Sequence, residues 1–545
     1  MADAGDSSTD RRPDARWRTG CALVLLCLAV YLPGLAALPA VDRDESRFAQ
    51  ASRQMLEGDE LRDWVVPMVQ DRPRLNKPPL IYWLQAGSAA MFTGGNADRD
   101  AIWMYRLPSL LAAIGTVLVT WRIGLRLFPA GGVAALAAAM LAVAPIMAWE
   151  SRQARADQVL VLATTLAMWA LLAIWQSAKY SDRRRWLPAI GLWLAVGAGV
   201  MVKGPITPMV VGLSVLALSL WTGRWRWIGR ARPLLGGLIV AVLVLPWVFL
   251  VARAVGFEDY FSIIYDETLG RSKAPKEGHW GPPGYHLALI IIVFWPGAIL
   301  TAVGVLYAMS RVFQRSRSTG SRLLKLVKPS DGRPAETFLL AWIVPSWIVL
   351  EFVQTKLPHY TMTLLPALAL LSARAVVIAS SRFEPLGGLA RFGALAWIFF
   401  GFVFASLSIV LAWFGSGTMA SIGVAVLAIG LWWLLAMNAW QQHCLRATKL
   451  ALALAAVLSI SIGLFLPRID AIWNSSRLVQ LEPIAVSISE RTPIGIIDYH
   501  EDSLIFESHG LAQRLDAEDL DAWLAERDRA MVILPIELAD ADPRL

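Results

Sequence analysis

The sequence predicts a polytopic α-helical membrane protein, with about thirteen transmembrane helices, interfacial amphipathic helices and a small C-terminal α/β domain. Three observations predict it. Of 545 residues, 56% are hydrophobic and only 17% charged, against roughly 25% charged in soluble domains. Apolar segments long enough to cross a bilayer recur along most of the chain. The connections between them alternate between strongly basic and mixed or acidic, as membrane topology signals do. The net charge of +8 is then a topology signal rather than a nucleic-acid footprint. The 25 Trp residues outnumber the 19 Phe, which suits interfacial aromatic belts. Cys21, Cys27 and Cys444 give neither a disulfide framework nor a zinc spacing.

In chain order, residues 1–19 are expected to be a cytoplasmic segment, with Arg11, Arg12, Arg16 and Arg18 before an apolar run from about Cys21 to Ala37. That run nears the ~20 residues needed to span, and many more follow. An uncleaved signal-anchor is therefore expected rather than a cleaved signal peptide. The membrane domain covers 20–466, with spans near 20–38, 105–127, 131–148, 158–177, 186–202, 205–221, 234–254, 285–309, 337–353, 361–379, 391–413, 418–438 and 449–466. With the N-terminus inside, the cytoplasmic connections are Arg122–Arg126, Lys179–Arg185, Arg224–Arg232, Arg311–Arg333, Arg374–Arg391 and Arg446–Lys449. All are basic. Thirteen crossings put the C-terminus outside, where composition turns soluble over 467–545. Short β-like runs at Ile494–Ile497 and Met531–Ile536 enclose a helix-like stretch, Asp516–Arg529. This tail reads equally well as a packing module without chemistry. Two external loops, 39–104 and 254–284, are unusually long, and long ordered loops tend to be functional.

The first loop opens VDRDESRFAQASRQMLEGD. Asp44 stands where a helix begins and where a carboxylate can cap backbone N–H groups. Phe48, Ala51, Ser52, Met55 and Leu56 recur at three- and four-residue spacing, with Arg47, Arg53, Gln54 and Glu57 mostly on another face. Such a helix lies along the membrane surface. An N-cap with solvated charges fits Asp42, Asp44 and Glu45 as well. Further on, NKPPLIYWLQA places Lys77 before two prolines that fix the approach of a second interfacial helix carrying Tyr82. Lys77 is a ready phosphate ligand; a snorkelling lysine is the bland alternative.

Three other external sites match. ESRQARADQVL carries Glu150, Arg152, Arg155 and Asp157, the last at a helix start. YDETLGRSKAPKEGHWGPPGYH carries Arg271 and His279, and QTKLPHYTMTLLPALALL carries Lys356, His359 and Tyr360. Glu351 ends the ninth span, where an ionisable residue needs a partner or a job. Lys77, Arg271, Lys356 and Tyr360 are expected to converge on one anionic group, for which a lipid phosphate is the obvious candidate.

The series DRDESRFAQASRQMLEGD, NKPPLIYWLQA, SRQARADQVL, TLGR and TKLPHYTMTLLPALALL resembles the bacterial aminoarabinose transferases of lipid A. Those belong to the C-type polytopic glycosyltransferases, with the protein O-mannosyltransferases. The resemblance implies a glycosyltransferase of the bacterial inner membrane, with its active site facing the periplasm. The implied donor is a sugar on undecaprenyl phosphate, 4-amino-4-deoxy-L-arabinose being one candidate, and the acceptor is lipid A or another periplasmic glycan or protein. It implies Asp44 as the catalytic carboxylate, with Glu45 and Asp157 as further acidic residues of the site. Lys77, Arg271 and Tyr360, joined by Lys356, would hold the carrier phosphate. Arg47, Tyr82, His279 and His359 are candidate donor or acceptor contacts. Asn76 departs from the acidic residue often found before the Lys-Pro-Pro, which bears on the identity of the sugar. No cofactor is called for; a divalent metal at Asp42 and Asp44 is an option that the intervening Arg43 disfavours. Direct displacement would invert the anomeric centre. The competing class is a flippase of lipid-linked sugars, but transporters set charged sites near the midplane, often within repeats, and here the charges gather at one face.

Overall fold

The computed structural model describes residues 13–129, 132–177, 186–266, 270, 280–313, 334–380 and 388–535. The chain begins with α1 (Pro13–Tyr31) and then runs along one face of the molecule through α2 (Asp44–Glu57), α3 (Leu61–Val65), a β1–β2 hairpin (Met68–Val69, Arg72–Pro73) and α4 (Leu80–Thr93). It crosses in α5 (Ile102–Leu127) and returns through α6 (Val133–Ala142) and α7 (Pro145–Glu150). Next come α8 (Asp157–Gln176), α9 (Trp186–Lys203), α10 (Ile206–Thr222), α11 (Pro233–Val255) and the short α12 (Phe257–Tyr265). The remaining membrane helices are α13 (Tyr285–Val293), α14 (Ala298–Val312), α15 (Pro334–Phe352), α16 (Leu365–Ser380), α17 (Gly388–Ser416), α18 (Thr418–Trp440) and α19 (Cys444–Phe465).

Among the described residues, nine helices are long and apolar enough to cross a membrane, and three shorter apolar helices accompany them. The protein is thus a multi-pass membrane protein. Breaks inside predicted spans have local causes. The 131–148 segment is interrupted before Pro145, and the 285–309 segment at Phe294–Gly297, where Pro296 has no N–H to continue a helix. The apolar stretch 186–221 is two helices, because Gly204 takes a left-handed turn at φ 61° ahead of Pro205. Close approach fixes the exit of α1: a Cβ on Gly463 of α19 would sit 2.1 Å from the Pro33 carbonyl oxygen, so only glycine permits this crossing.

The amphipathic reading of α2 holds for one face and only in part for the other. Phe48, Ala51 and Met55 pack on Ile81, Tyr82 and Ala86 of α4, with the Phe48 and Tyr82 rings stacked at 5.3 Å. The opposite face is solvated at Glu57 but not at Arg53. Arg53 is 2% exposed; its guanidinium meets both oxygens of Asp100 at 2.6 and 2.9 Å. Nor does Asp44 cap the helix. The N-cap is Arg43 at φ 64° without a side-chain cap bond, and Glu45 accepts the Val41 N–H at 2.9 Å instead.

After α19 the chain forms α20 (Asn474–Leu478), α21 (Glu482–Ser489), β3 (Ile494–Ile496), α22 (Ser503–Glu507), β4 (Ala512–Arg514), α23 (Leu520–Ala525) and β5 (Met531–Ile533). The strands make a parallel sheet in the order β4-β3-β5, with Ile494 opposite Ala512 and Met531. The expected Asp516–Arg529 helix shrinks to six residues. β4 is unpredicted because Ala-Gln-Arg has no β-branched residue to signal it. Together these elements sit against the face that carries α2.

Candidate functional site

Asp44 stands at the first turn of α2 with its side chain half exposed. Arg155 Nη2 lies 3.1 Å from one carboxylate oxygen and Arg74 Nη2 3.7 Å from the other. Each arginine is aimed by its own surroundings. Arg74 follows the β1–β2 hairpin, lies over the Phe48 ring at 4.9 Å and donates from Nε to the Tyr82 hydroxyl at 3.2 Å. Arg155 sits in the turn between α7 and α8 and gives Nη1 to Glu150 at 3.0 Å. Burial works to raise the Asp44 carboxyl, but Arg155 and Arg74 outweigh it and hold the pKa below the ordinary range. Glu150, at the end of α7, shows the reverse balance: burial pushes it up to about 7 against the pull of Arg155.

Glu45 does not behave as a catalytic acid. It is 1% exposed, and its oxygens accept Arg106 Nε and Nη2 at 2.8 Å each, the Ala154 N–H at 2.7 Å and the Val41 N–H at 2.9 Å. Arg106 of α5 also donates to the carbonyls of Leu35, Leu38 and Pro39. This buried pair therefore ties the exit of α1, the start of α2 and the turn bearing Arg155 into one unit. Buried polar groups persist when every donor and acceptor is met. Glu45, expected among the acidic residues of the site, is absent from the pocket lining, and its oxygens are taken up by these contacts.

Asp157 begins α8, 5% exposed, and accepts Lys203 Nζ at 2.6 Å; His359 Nε2 is 3.8 Å away. Lys203 is the last residue of α9, and its ammonium lies 5.7 Å over the Tyr360 ring. Two cavities meet here. A small polar pocket is lined by Asp44, Arg47, Phe48, Arg74, Asn76, Lys77, Ala156, Asp157, Lys203, Thr355, Leu357, His359 and Tyr360. An apolar groove of about 530 Å³ runs from it between Leu160, Met201, Met209, Val244, Trp247, Ile264 and Leu350. Asn76, Lys77, Asp157, Lys203, Thr355, His359 and Tyr360 line both. The site is amphipathic: a cationic pocket with a carboxylate at one end and a dry slot at the other.

Most of the residues singled out in the sequence meet here, yet their partners differ from expectation. Lys77 and Tyr360 share the wall of both cavities. Lys356 does not join them: it is 4% exposed and spends its ammonium on the carbonyls of Gly281 and Val353 at 2.9 and 2.8 Å. Arg47 pairs with Asp502 at 2.6 Å. Glu351 accepts the Gly284 N–H at 2.9 Å, which supplies the partner a carboxylate at that depth requires. Arg271 and His279 lie outside the described residues. Asp42 turns from Asp44 to accept the Ser503 N–H at 3.2 Å, and among the described residues no group of three His, Cys, Asp or Glu could hold a metal ion. The site residues not anticipated in a role are Arg74, Lys203, Arg106 and Asp502. Lys203 carried a signal, a lone charge between two apolar runs; the other three carried none above the background of loop and helix charges.

Comparison with known proteins agrees with this architecture. The family described as dolichyl-phosphate-mannose-protein mannosyltransferase matches residues 76–249. The undecaprenyl phosphate-alpha-4-amino-4-deoxy-L-arabinose arabinosyl transferase of Pseudomonas savastanoi pv. phaseolicola is 27% identical over 67% of this chain, and the match covers 62% of that protein. The protein of the same name from Erwinia tasmaniensis is 25% identical over 92% of this chain and 90% of its own. In fold, the chain is similar to ArnT from Cupriavidus metallidurans bound to undecaprenyl phosphate, with TM-score 0.69, 19% identity and 95% and 90% of the two chains covered. The archaeal oligosaccharyltransferase AglB from Archaeoglobus fulgidus shares the fold more loosely, at TM-score 0.55, 11% identity and 92% and 65% coverage. The solved structures so matched are polytopic membrane proteins, and it is their fold that the chain shares. In sequence the chain is similar to the aminoarabinose transferases over most of its length.

Proposed function

We propose that this protein transfers a sugar from undecaprenyl phosphate to an acceptor at the outer face of a bacterial inner membrane. The observation that carries the reading is the shared wall of the two cavities, which suits a ligand with an isoprenoid tail and an anionic head. In this reading the tail lies in the apolar groove and the phosphate at Lys203, Lys77 and Tyr360, with Arg271 a candidate from the second long loop. Asp157 positions Lys203 rather than touching substrate, and His359 supports the same corner. The relatives' printed name makes 4-amino-4-deoxy-L-arabinose the first donor sugar to try and lipid A the first acceptor.

The acceptor oxygen attacks the anomeric carbon, the bond from that carbon to the phosphate oxygen breaks, and undecaprenyl phosphate leaves with inversion at the sugar. Charge develops on the leaving phosphate. Cations held in place at the site stabilise that charge more in the transition state than in the ground state. The depressed pKa of Asp44 makes it a weak base, since a general base works best with a pKa near the working pH. A phosphate monoester on the acceptor is already an anionic nucleophile and has no proton to lose. Asp44 then orients the acceptor and stabilises positive character at the sugar carbon. A hydroxyl acceptor would pass its proton to Asp44.

The topology that fits has residues 1–19 in the cytoplasm, thirteen crossings within 20–466, loops 39–104 and 254–284 outside, and 467–545 as an external unit. Basic connections on one face favour it. A flippase would need charged sites near the midplane, whereas Asp44, Arg155 and Lys203 gather at helix ends. The test is direct: purified protein in detergent, without a gradient, is given undecaprenyl phospho-aminoarabinose and lipid A. Release of undecaprenyl phosphate with a matching mass gain on lipid A supports transfer. Donor left intact under conditions that preserve binding overturns it.

A further inference from the structure

Contacts between the C-terminal unit and the site concentrate on the chain around Asp44. Glu507 accepts the Ala40 N–H at 3.1 Å, and Asp42 accepts the Ser503 N–H at 3.2 Å. The Phe506 carbonyl takes Arg53 Nη1 at 2.7 Å, and the Arg53 guanidinium lies 3.9 Å over the Phe506 ring. One short helix, α22, thereby grips the chain on both sides of Asp44. Between those ties, Asp502 stands 2.6 Å from Arg47 Nε and is itself held by Arg514 Nη2 at 2.9 Å. The Asp502 side chain is 6% exposed while Arg47 is 30% exposed. Asp502 lies between the two guanidinium groups, with Asp42 acting on it as a second carboxylate, and it is the Arg47 end that reaches the polar pocket.

The two cavities sort the cations of the site. Lys77 and Lys203 line both, so a phosphate that carries a lipid tail belongs with them. Arg47 lines the polar pocket and not the groove. A group bound at Arg47 has no tail in the slot and approaches from the side covered by α22. We propose that Arg47 binds an anionic group on the acceptor and that the C-terminal unit, through Asp502, positions it. Arg47 is then a substrate-binding residue, Asp502 a positioning residue, and the C-terminal unit a working part of the site. The inference rests on the transferase reading above and adds to it which cation serves which substrate.

The test uses full-length protein in liposomes, with undecaprenyl phospho-aminoarabinose as donor and lipid A, with or without its phosphates, as acceptor. Asp502→Asn should raise KM for phosphorylated lipid A about tenfold, the size expected for a lost charge-assisted bond. KM for the donor and kcat should stay within about twofold. Arg47→Gln should do the same, and the double variant should be no worse than Arg47→Gln alone, because both act through one contact. Arg514→Gln leaves the Arg47 contact in place and should give a smaller shift in the same direction; it serves if Asp502→Asn fails to fold. Equal changes in donor and acceptor KM, or an unchanged acceptor KM in both Asp502→Asn and Arg514→Gln, overturn the proposal. A wild-type protein that consumes no donor overturns the transferase reading instead, so the two failures are distinct.

Discussion

Arg155 bridges Asp44 and Glu150, reaching the first with Nη2 at 3.1 Å and the second with Nη1 at 3.0 Å. The two carboxyls differ in kind. Asp44 is half exposed and held in its charged form by Arg155 and Arg74, while Glu150 is buried and titrates near 7. One arginine thus serves a permanent anion and a switchable one.

Removing the charge of Asp44 should cost chemistry and little else. Asp44→Asn keeps the volume, and Arg155 keeps Glu150 as a partner. Turnover should fall at least ~10²-fold, within the range typical for a catalytic group, while insertion and melting temperature stay near wild type. Membranes bearing the variant with wild-type turnover would remove the catalytic assignment.

Glu150 makes a pH prediction with a defined sign. Its pKa in the folded protein is raised to about 7, so its protonated form favours the folded state and stability is lost as pH rises from about 4.5 through 7. Ionisation also adds a negative charge beside the pocket. KM for anionic substrates should therefore climb above pH 7 in the wild type and stay flat in Glu150→Gln. Identical KM profiles for the two proteins between pH 6 and 8 (about one unit each side of the transition) would contradict this.

Glu45 and Arg106 should matter for stability before chemistry. Both side chains have no exposure, and cutting one partner from a buried, hydrogen-bonded ion pair costs about 3–5 kcal/mol. Glu45→Ala should lower the melting temperature sharply, where Asp44→Asn does not. A stable Glu45→Ala protein lacking activity would restore Glu45 to the catalytic set.

The contrast between these neighbours marks how far the sequence could be read. Membrane helices were legible because lipid exposure demands apolar residues on nearly every turn, and the interfacial helix at Asp44 because Phe48, Ala51 and Met55 share a face. That charges cluster near Asp44 was also readable. Which charge answers which was not. Asp44 and Glu45 are adjacent acids with opposite fates, decided by Arg106 61 residues away and by the Ala154 N–H. Arg53 looked solvated because Asp100 and Phe506, its partners, are distant in sequence. Lys203 follows one apolar run and precedes the next, and its pairing with Asp157 across 46 residues exists only once α8 and α9 pack. Periodicity reports which face is apolar; it carries no information on long-range pairing.

The groove makes the last prediction, and it separates tail binding from head-group chemistry. If the carrier's isoprenoid lies between Met201, Val244, Trp247 and Leu350, donor affinity should grow with chain length at about 0.8 kcal/mol per buried CH₂ and level off once the 530 Å³ slot is full. Val244→Trp would fill the slot without touching Asp44 or Lys203. It should raise KM for the full-length donor while leaving a short-chain analogue, too small to enter, at its wild-type kcat/KM. Lys203→Met should act the other way, weakening both donors alike, because each carries the same phosphate. A Val244→Trp protein that handles long and short donors equally well would place the tail elsewhere on the lipid-facing surface, and with it the argument that the two cavities serve one ligand.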